Sequence, residues 1–215
     1  GLEGASVRSL ADVGITTNFE TGGLDFDRAK FQEQLKNNPD DVTALFAEQG
    51  RASDSQVEFV RSGVNTEPGE YAINITQAAT QGSLVGASAI SAPVTIDGTN
   101  DELTFLVNGE TSVSVQLTQQ TYNSAQELVD ELQAQLDANN ALSASGASVQ
   151  VGVGTGGELT FTSSQYGSSS NVSITSVEDG AAYGLELATG AVGSDVAGTI
   201  GGRTAQGDGQ VLFLD

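Results

Sequence analysis

The stretch Leu103-Thr104-Phe105-Leu106-Val107-Asn108-Gly109-Glu110-Thr111-Ser112-Val113-Ser114-Val115-Gln116-Leu117 decides the fold class. Leu103, Phe105 and Val107 share one face before the Asn-Gly pair, and Val113, Val115 and Leu117 share one after it. Successive side chains of a strand point to opposite faces, so this period of two marks half-buried strands. Asn-Gly supplies the positive-φ positions of a tight hairpin turn. Then the period changes. Ser124-Ala125-Gln126-Glu127 forms a capping box, and Ala125, Leu128, Val129, Leu132 and Leu136 make one helical apolar stripe. Strand spacing resumes at Val149, Val151 and Val153, turns at Thr155-Gly156-Gly157, and continues through Leu159/Phe161, Val172/Ile174 and Val211-Leu212-Phe213-Leu214. Upstream, Tyr71, Ile73 and Ile75 share a strand face. The order predicts an α+β fold rich in β: an antiparallel sheet with one face covered by a single amphipathic helix.

Before residue 62 the reading differs: helices around a short hairpin. Leu2, Val7, Leu10 and Val13 have roughly helical spacing. Ile15 to Phe26 reads as a hairpin turning at Thr21-Gly22-Gly23, with Phe19, Leu24 and Phe26 beside the turn. Asp27 is placed to cap a helix burying Phe31 and Leu35. Asn38-Pro39-Asp40-Asp41 starts another, with Pro at the first helical position and acids at the positive helix end. Val42, Leu45 and Phe46 follow at helical spacing, and Gly50 is placed to close that helix. A further helix is expected over 52–62, burying Val57 and Val60.

Composition excludes much chemistry. The chain has no His and no Cys, which removes catalytic triads, imidazole bases, thiolate nucleophiles, disulfides and the usual zinc and iron–sulfur ligands. A net charge of −21 would repel nucleic-acid phosphates and anionic lipid. No apolar run is long enough to insert in a membrane. The charge is uneven: residues 1–61 hold six of the seven basic side chains and 11 acids, whereas residues 62–215 hold one basic side chain and 17 acids, a net of −16. Charge and periodicity shift together near Gly63-Val64-Asn65-Thr66-Glu67-Pro68, which marks a boundary. The apolar run just before Asp215 suggests an excised fragment of a longer protein.

Four motifs invite a functional reading. Gly152-Val153-Gly154-Thr155-Gly156-Gly157 fits G-x-G-x-x-G, but a strand follows where a dinucleotide site needs a helix, so a Gly-rich hairpin is expected. Asp97-Gly98-Thr99-Asn100-Asp101-Glu102 gathers oxygens that calcium could use, yet lacks the EF-hand pattern and reads as an acidic turn. Asp25 and Asp27 could pair as carboxylates, though Asp27 is better placed as a cap. Arg203 is the only cation after residue 61 and is expected in a local salt bridge or on backbone carbonyls. No catalytic, cofactor-binding or metal-binding residues are assigned, no cofactor is expected, and the chain is not read as an enzyme.

Longer motifs carry a resemblance. Residues 9–27 (Ser-Leu-Ala-Asp-Val-Gly-Ile-Thr-Thr-Asn-Phe-Glu-Thr-Gly-Gly-Leu-Asp-Phe-Asp), with Lys30, Leu35, Asn38-Pro39, Val42 and Leu45-Phe46, resemble a motif of the flagellar filament cap family, also called hook-associated protein 2. Gly69-Glu70-Tyr71-Ala72-Ile73-Asn74-Ile75-Thr76-Gln77-Ala78-Ala79-Thr80 resembles the opening of the cap's outer domains. Residues 102–188 resemble the flagellin IN repeat, through the Asn108-Gly109 turn, the helix at 124–138, residues 157–163 and Tyr166-Gly167-Ser168-Ser169-Ser170. Gly198-Thr199-Ile200-Gly201-Gly202, Ala205, Gly207 and Gly209-Gln210 resemble the close of such modules, with Gly201 in place of the usual Asn. The family's heptad-bearing terminal helices are absent, and an extra outer module follows residues 9–46.

The resemblance implies a structural protein of the bacterial flagellum, exported as an unfolded chain and secreted to the extracellular filament tip. There it would form part of the cap that promotes flagellin insertion and polymerisation. Implied partners are flagellin and other copies of itself in a homo-oligomeric cap, with a coiled coil in the full-length protein; some relatives also contact host mucin or glycan, which brings cell adhesion beside motility. Nucleic acid and membrane insertion are not among them. The rival reading is an acidic adhesin-type module binding glycan or calcium. The expected division is 1–64 as a helix-hairpin-helix segment of the inner, leg-like domain, 65–91 with 191–215 as a small β-domain, and 92–190 as an inserted IN-like α+β domain. Strand 71–76 would then pair with strands around 198–214.

Overall fold

Where the chain alternates apolar and polar residues it forms strands, and where the apolar period lengthens it forms helices. The structure, a computed structural model, describes residues 7, 9–19, 21–46, 50–63 and 66–214, without the side chains of Asp40, Ala44 and Phe46. Leu2, Glu20, Val64, Asn65 and Asp215, named above, lie outside the described residues, as does the end of the helix expected to close at Gly50. The chain divides into two units, residues 1–69 and 70–215.

In the first unit, residues 9–14 form successive tight turns, with Asp12 N–H donating to Ser9 O and Val13 N–H to Leu10 O, in place of the helix suggested by Val7, Leu10 and Val13. β1 (Ile15–Thr17) pairs antiparallel with β2 (Leu24–Phe26), opposing Ile15 to Phe26 and Thr17 to Leu24. α1 (Arg28–Asn37) begins at Asp27, whose carboxylate accepts the Lys30 N–H at 3.1 Å. α2 (Pro39–Phe46) follows, with Pro39 opening it as expected. Val7, Val13 and Val42 are buried together, and Ile15, Phe31 and Leu45 pack against them. α1 does not bury its stripe: Phe31 is half-buried and Leu35 is 45% exposed. The helix expected over 52–62 is also absent. There the Asp54 carboxylate accepts the Gln56 N–H at 2.9 Å and the Asp54 carbonyl accepts the Val57 N–H, so the side chain closes a local turn that competes with helix. Val57 is half-buried and Val60 is 65% exposed.

The second unit runs β3 (Ile73–Gln77), β4 (Gln81–Ala89), β5 (Val94–Thr95), β6 (Glu102–Val107), β7 (Thr111–Gln116) and β8 (Thr121–Tyr122). Next come α3 (Ala125–Asp137), α4 (Asn140–Ser145), β9 (Val149–Val153), β10 (Glu158–Tyr166) and β11 (Val172–Val177). A short 3-10 turn at Gly180–Tyr183 leads to β12 (Ala188–Thr189), β13 (Ala197–Ile200), β14 (Arg203–Asp208) and β15 (Val211–Phe213).

The fold class is α+β and β-rich, with antiparallel sheets. The strands form a three-stranded sheet β4-β10-β9, a four-stranded sheet β12-β11-β6-β7, a second four-stranded sheet β15-β14-β13-β3, and the short pair β5-β8. The alternating strands of residues 81–189 thus split into two larger sheets, where the sequence pattern predicts one. One core joins them: Leu103, Phe105, Val107, Val113 and Val115 from one, Leu84, Val149, Val151, Leu159 and Phe161 from the other. The Phe105 and Phe161 rings meet across it with centroids 5.0 Å apart. α3 closes the body by packing on β9 and β7 with Leu128, Val129, Leu132 and Leu136 buried. Its capping box is partly rearranged: Ser124 Oγ accepts the Glu127 N–H as expected, while the Glu127 carboxylate takes the Asn123 N–H at 2.7 Å. A second helix, α4, goes beyond the single helix predicted. Asn139 caps its start and left-handed Gly146 ends it, burying Leu142. The Asn108-Gly109 turn has φ of 53° and 71°, and Asn108 Oδ1 accepts the Ser163 hydroxyl and the Asn171 N–H.

The remaining sheet joins the two ends of the unit. β3 pairs with β13, opposing Ile73 to Ile200 and Asn74 to Thr199. β4 begins at Gln81, shortly after β3 ends at Gln77, yet it leaves this sheet and pairs with β10.

Candidate interaction surfaces

The motifs singled out above are built into the fold. At Asp97–Glu102, Asp97 Oδ1 accepts both the Thr99 N–H and the Thr99 hydroxyl, which hold its carboxyl below its ordinary value of 3.8. Asn100 is buried; its amide donates to Thr95 O, and its backbone carbonyl accepts the Tyr183 hydroxyl at 2.9 Å. Burial, reinforced by the carboxylates of Asp179, Glu178 and Asp101, pushes that hydroxyl's pKa upward. Asp101 is also buried and accepts from Gln116 and Gln119. The loop's oxygens therefore serve the turn itself, and no group of three acidic side chains suited to a metal ion occurs among the described residues.

Gly152–Gly157 forms the β9–β10 hairpin, with Leu159, Thr160 and Phe161 in the strand that follows. Asp25 accepts from the Asn18 amide within the β1–β2 hairpin, and Asp27 caps α1, so each carboxylate serves its own local structure. Arg203 stands exposed at the β13–β14 turn, and neither the salt bridge nor the bonds to backbone carbonyls expected for it are seen among the described residues.

What the structure presents to a partner is surface. In the first unit, Leu24 and Phe26 lie on one face of β2 and are 69% and 53% exposed. The Phe26 ring meets Phe31 of α1 edge-on at 5.4 Å, and Leu35 lies one turn further along the helix. Arg28, Lys30 and Lys36 share that helix. A row of large apolar side chains left open beside cations is the kind of surface other protein covers.

In the second unit, α3 exposes Glu127, Asp130 and Asp137, while Glu131 is half-buried. The Glu131 carboxyl is penalised by burial, but hydrogen bonds from the Thr118 N–H, the Gln135 amide and the Thr118 hydroxyl outweigh that and lower its pKa. The small sheet exposes Ile73 and Ile75 of β3, and Tyr71, expected in the same strand, lies exposed just before it.

A junction that the sequence does not signal fixes this sheet to the body. Asp195 Oδ1 accepts the Ser168 N–H at 3.0 Å and the Gly209 N–H at 2.8 Å. These contacts, with the Ser168 hydroxyl foremost, hold its carboxyl below 3.8. Beside it the Thr80 N–H donates to Ser194 O, and the Gly167 N–H to Thr80 O. Nothing in the local pattern around Gly193-Ser194-Asp195 announces these partners, which lie 27 and 14 residues away.

Comparison with known proteins gives one family. The model of the flagellar hook-associated protein 2 C-terminus matches residues 3–144. No curated protein matches the chain. Among solved structures, the chain resembles the D2–D3 domains of the flagellar cap protein from Serratia marcescens at 20% identity, covering 66% of this chain and 79% of that one, with a TM-score of 0.44. The D2–D3 domains from Escherichia coli match at 16% identity over 68% of this chain and 78% of that one, TM-score 0.45. The hook-associated protein from Pseudomonas aeruginosa PAO1 matches at 17% identity over 66% and 69%, TM-score 0.39.

Proposed function

The chain belongs to the flagellar hook-associated protein 2 family, and on that premise we propose that it is a structural part of a flagellar filament cap. It works outside the cell at the filament tip, where the cap promotes insertion and polymerisation of flagellin. Its partners are flagellin and further copies of the same protein. The role is mechanical, not catalytic.

The observation that carries this reading is the extent of the family match, which runs through the helical first unit and on through α3 and into α4 of the second. Two features support it. The open row Leu24, Phe26 and Leu35 suits a segment of an inner domain completed by helices of the parent protein. The acidic second unit suits an outer part held soluble by like charge. Within that unit the domain division is a nested one. The sheet of β3, β13, β14 and β15 forms the small domain and the body between is inserted. The pairing of β4 with β10 supports crossing points near Gln77–Gln81 and Gly190–Ser194, which would give residues 81–91, expected above in the small domain, to the inserted body instead.

The test is genetic. Deleting the parent gene should leave cells shedding unpolymerised flagellin into the medium and bearing short filaments or none. The intact gene should restore filaments, and one lacking the codons for residues 70–214 should not. A deletion strain that assembles full-length filaments and sheds no flagellin would overturn the reading.

A further inference from the structure

We propose that two copies of this chain pair edge to edge through β3, antiparallel about Asn74. The proposal goes beyond the cap reading and does not depend on it.

β3 is an outer strand of its sheet. An open edge is a ready template for another strand, and soluble proteins blunt such edges. Two other edges of this unit are blunted. On β9, the Gln133 side chain of α3 donates to Val149 O and accepts the Val151 N–H, taking the place of a neighbouring strand. On β7, the Asn139 amide donates to Ser114 O. Among the described residues no side chain does this for Ile73 or Ile75. Nor does β3 carry the charge or proline that would repel a neighbour.

The direction of its free groups follows from the ladder. Ala72 O accepts the Gly201 N–H, and a Cβ added to Gly198 would meet the Asn74 carbonyl oxygen. The backbone groups of residues 72 and 74 thus face β13, and those of Ile73 and Ile75 face outward, since neighbouring residues of a strand alternate. The side chains of Ile73 and Ile75 are 46% and 45% exposed.

A second copy fits this edge on two counts. The pattern Ile73-Asn74-Ile75 is symmetric, so a two-fold axis at Asn74 sets Ile73 against Ile75 of the other copy. Both outward N–H and C=O pairs are then satisfied, and the apolar row continues across the join. The charge also allows it. Residues 71–96 contain no charged side chain in a chain of net charge −21, so this edge is where two acidic copies can approach with least repulsion. Repulsion from the rest makes the pairing weak at low salt and stronger as salt screens it.

The chain has no cysteine, so one introduced thiol reports alone. In the proposed pair the two Asn74 positions form a non-hydrogen-bonded site with Cα atoms about 4.5 Å apart, within disulfide reach of roughly 4.4–6.8 Å. Asn74→Cys should therefore give a disulfide-linked dimer under mild oxidation. Its rate should exceed that of Thr155→Cys, at an exposed hairpin tip, by about tenfold or more, because pairing concentrates the two thiols. The rate should rise between about 50 mM and 500 mM NaCl. Adding Ile75→Pro removes an outward N–H and spares the β13 ladder, so it should abolish the excess with an unchanged melting curve. Ile73→Lys, which places a charge on the same row, serves as the second variant. The proposal fails if the Asn74→Cys chain links no faster than the Thr155→Cys chain, or if neither Ile75→Pro nor Ile73→Lys slows the former. It also fails if the edge becomes protected from hydrogen exchange only when flagellin is added, which would assign it to an outside strand.

Discussion

Phe161→Ala tests whether the two larger sheets share one core. Phe161 on β10 is fully buried, and its ring meets that of Phe105 on β6 at 5.0 Å, across the two sheets. Truncating a buried Phe removes its transfer free energy and leaves a cavity that close-packed neighbours fill only in part, at a cost of about 3–5 kcal/mol. For a unit of this size each kcal/mol lowers the melting temperature by about 2–4 °C, so a fall of roughly 6–20 °C is expected. Phe105→Ala should do the same. The double variant should cost less than the two together by about 0.5–1.5 kcal/mol, because the second truncation removes a ring contact already lost. The chain has no Trp, and all four tyrosines, Tyr71, Tyr122, Tyr166 and Tyr183, lie in the second unit. Tyrosine fluorescence during urea or thermal unfolding therefore reports on this unit alone. Val153→Ala, at an exposed strand end, is the control and should stay within about 0.5 kcal/mol of the parent. A melting point for Phe161→Ala within about 2 °C of the parent would refute the shared core. So would additivity of the two Phe variants within about 0.3 kcal/mol.

Three further outcomes are expected. Asp195 has a folded pKa depressed below its ordinary 3.8, so its contribution is fully present above that value and disappears as pH falls through the depressed one. Asp195→Asn should thus be less stable than the parent at neutral pH, with the difference closing in the strongly acidic range. A difference that is constant across an acid titration of urea midpoints would contradict this. Ser124→Ala deletes the α3 cap and should cost about 1 kcal/mol, restored by Ser124→Asp, as measured by urea unfolding. Residues 70–215 expressed alone should keep the tyrosine melting profile of the whole chain, whereas residues 1–69 alone should lack a cooperative transition by circular dichroism.

Elements set by neighbours in sequence are legible. The hairpin at Asn108-Gly109, α3 with its four buried apolar residues, the Asp27 cap and the Pro39 start all follow from local periodicity and capping. The departure over 52–62 is also local: Val57 and Val60 have helical spacing, but the Asp54 side chain captures the Gln56 N–H first. Long-range choices are less visible. Nothing in Leu84 or Phe161 says that β4 lies beside β10, since the same alternating pattern suits any partner strand. The row Tyr71, Ile73 and Ile75 reads as a strand face, but its exposure depends on what the rest of the sheet covers. The acidic loop at 97–102 is legible as a turn because Asp97 and Thr99 are two residues apart, whereas Asp195 finds its partners only through the fold.

The two units differ in how far they satisfy their own apolar residues, and this difference bears on function. The second gathers Leu, Val, Ile, Phe and Tyr side chains from strands and helices into one continuous core, so its surface is free to be acidic. The first has three buried valines among its described residues and leaves Leu24, Phe26 and Leu35 in solvent. Ordering a chain costs conformational entropy at every residue, and a core as small as the one its described residues form offsets little of it. The same row of apolar residues that looks like a defect in isolation is therefore what makes association favourable, since covering it supplies the burial the unit lacks. The first unit, with its apolar row open, is thus suited to being built into an assembly, and the second, with its own core, to folding without a partner.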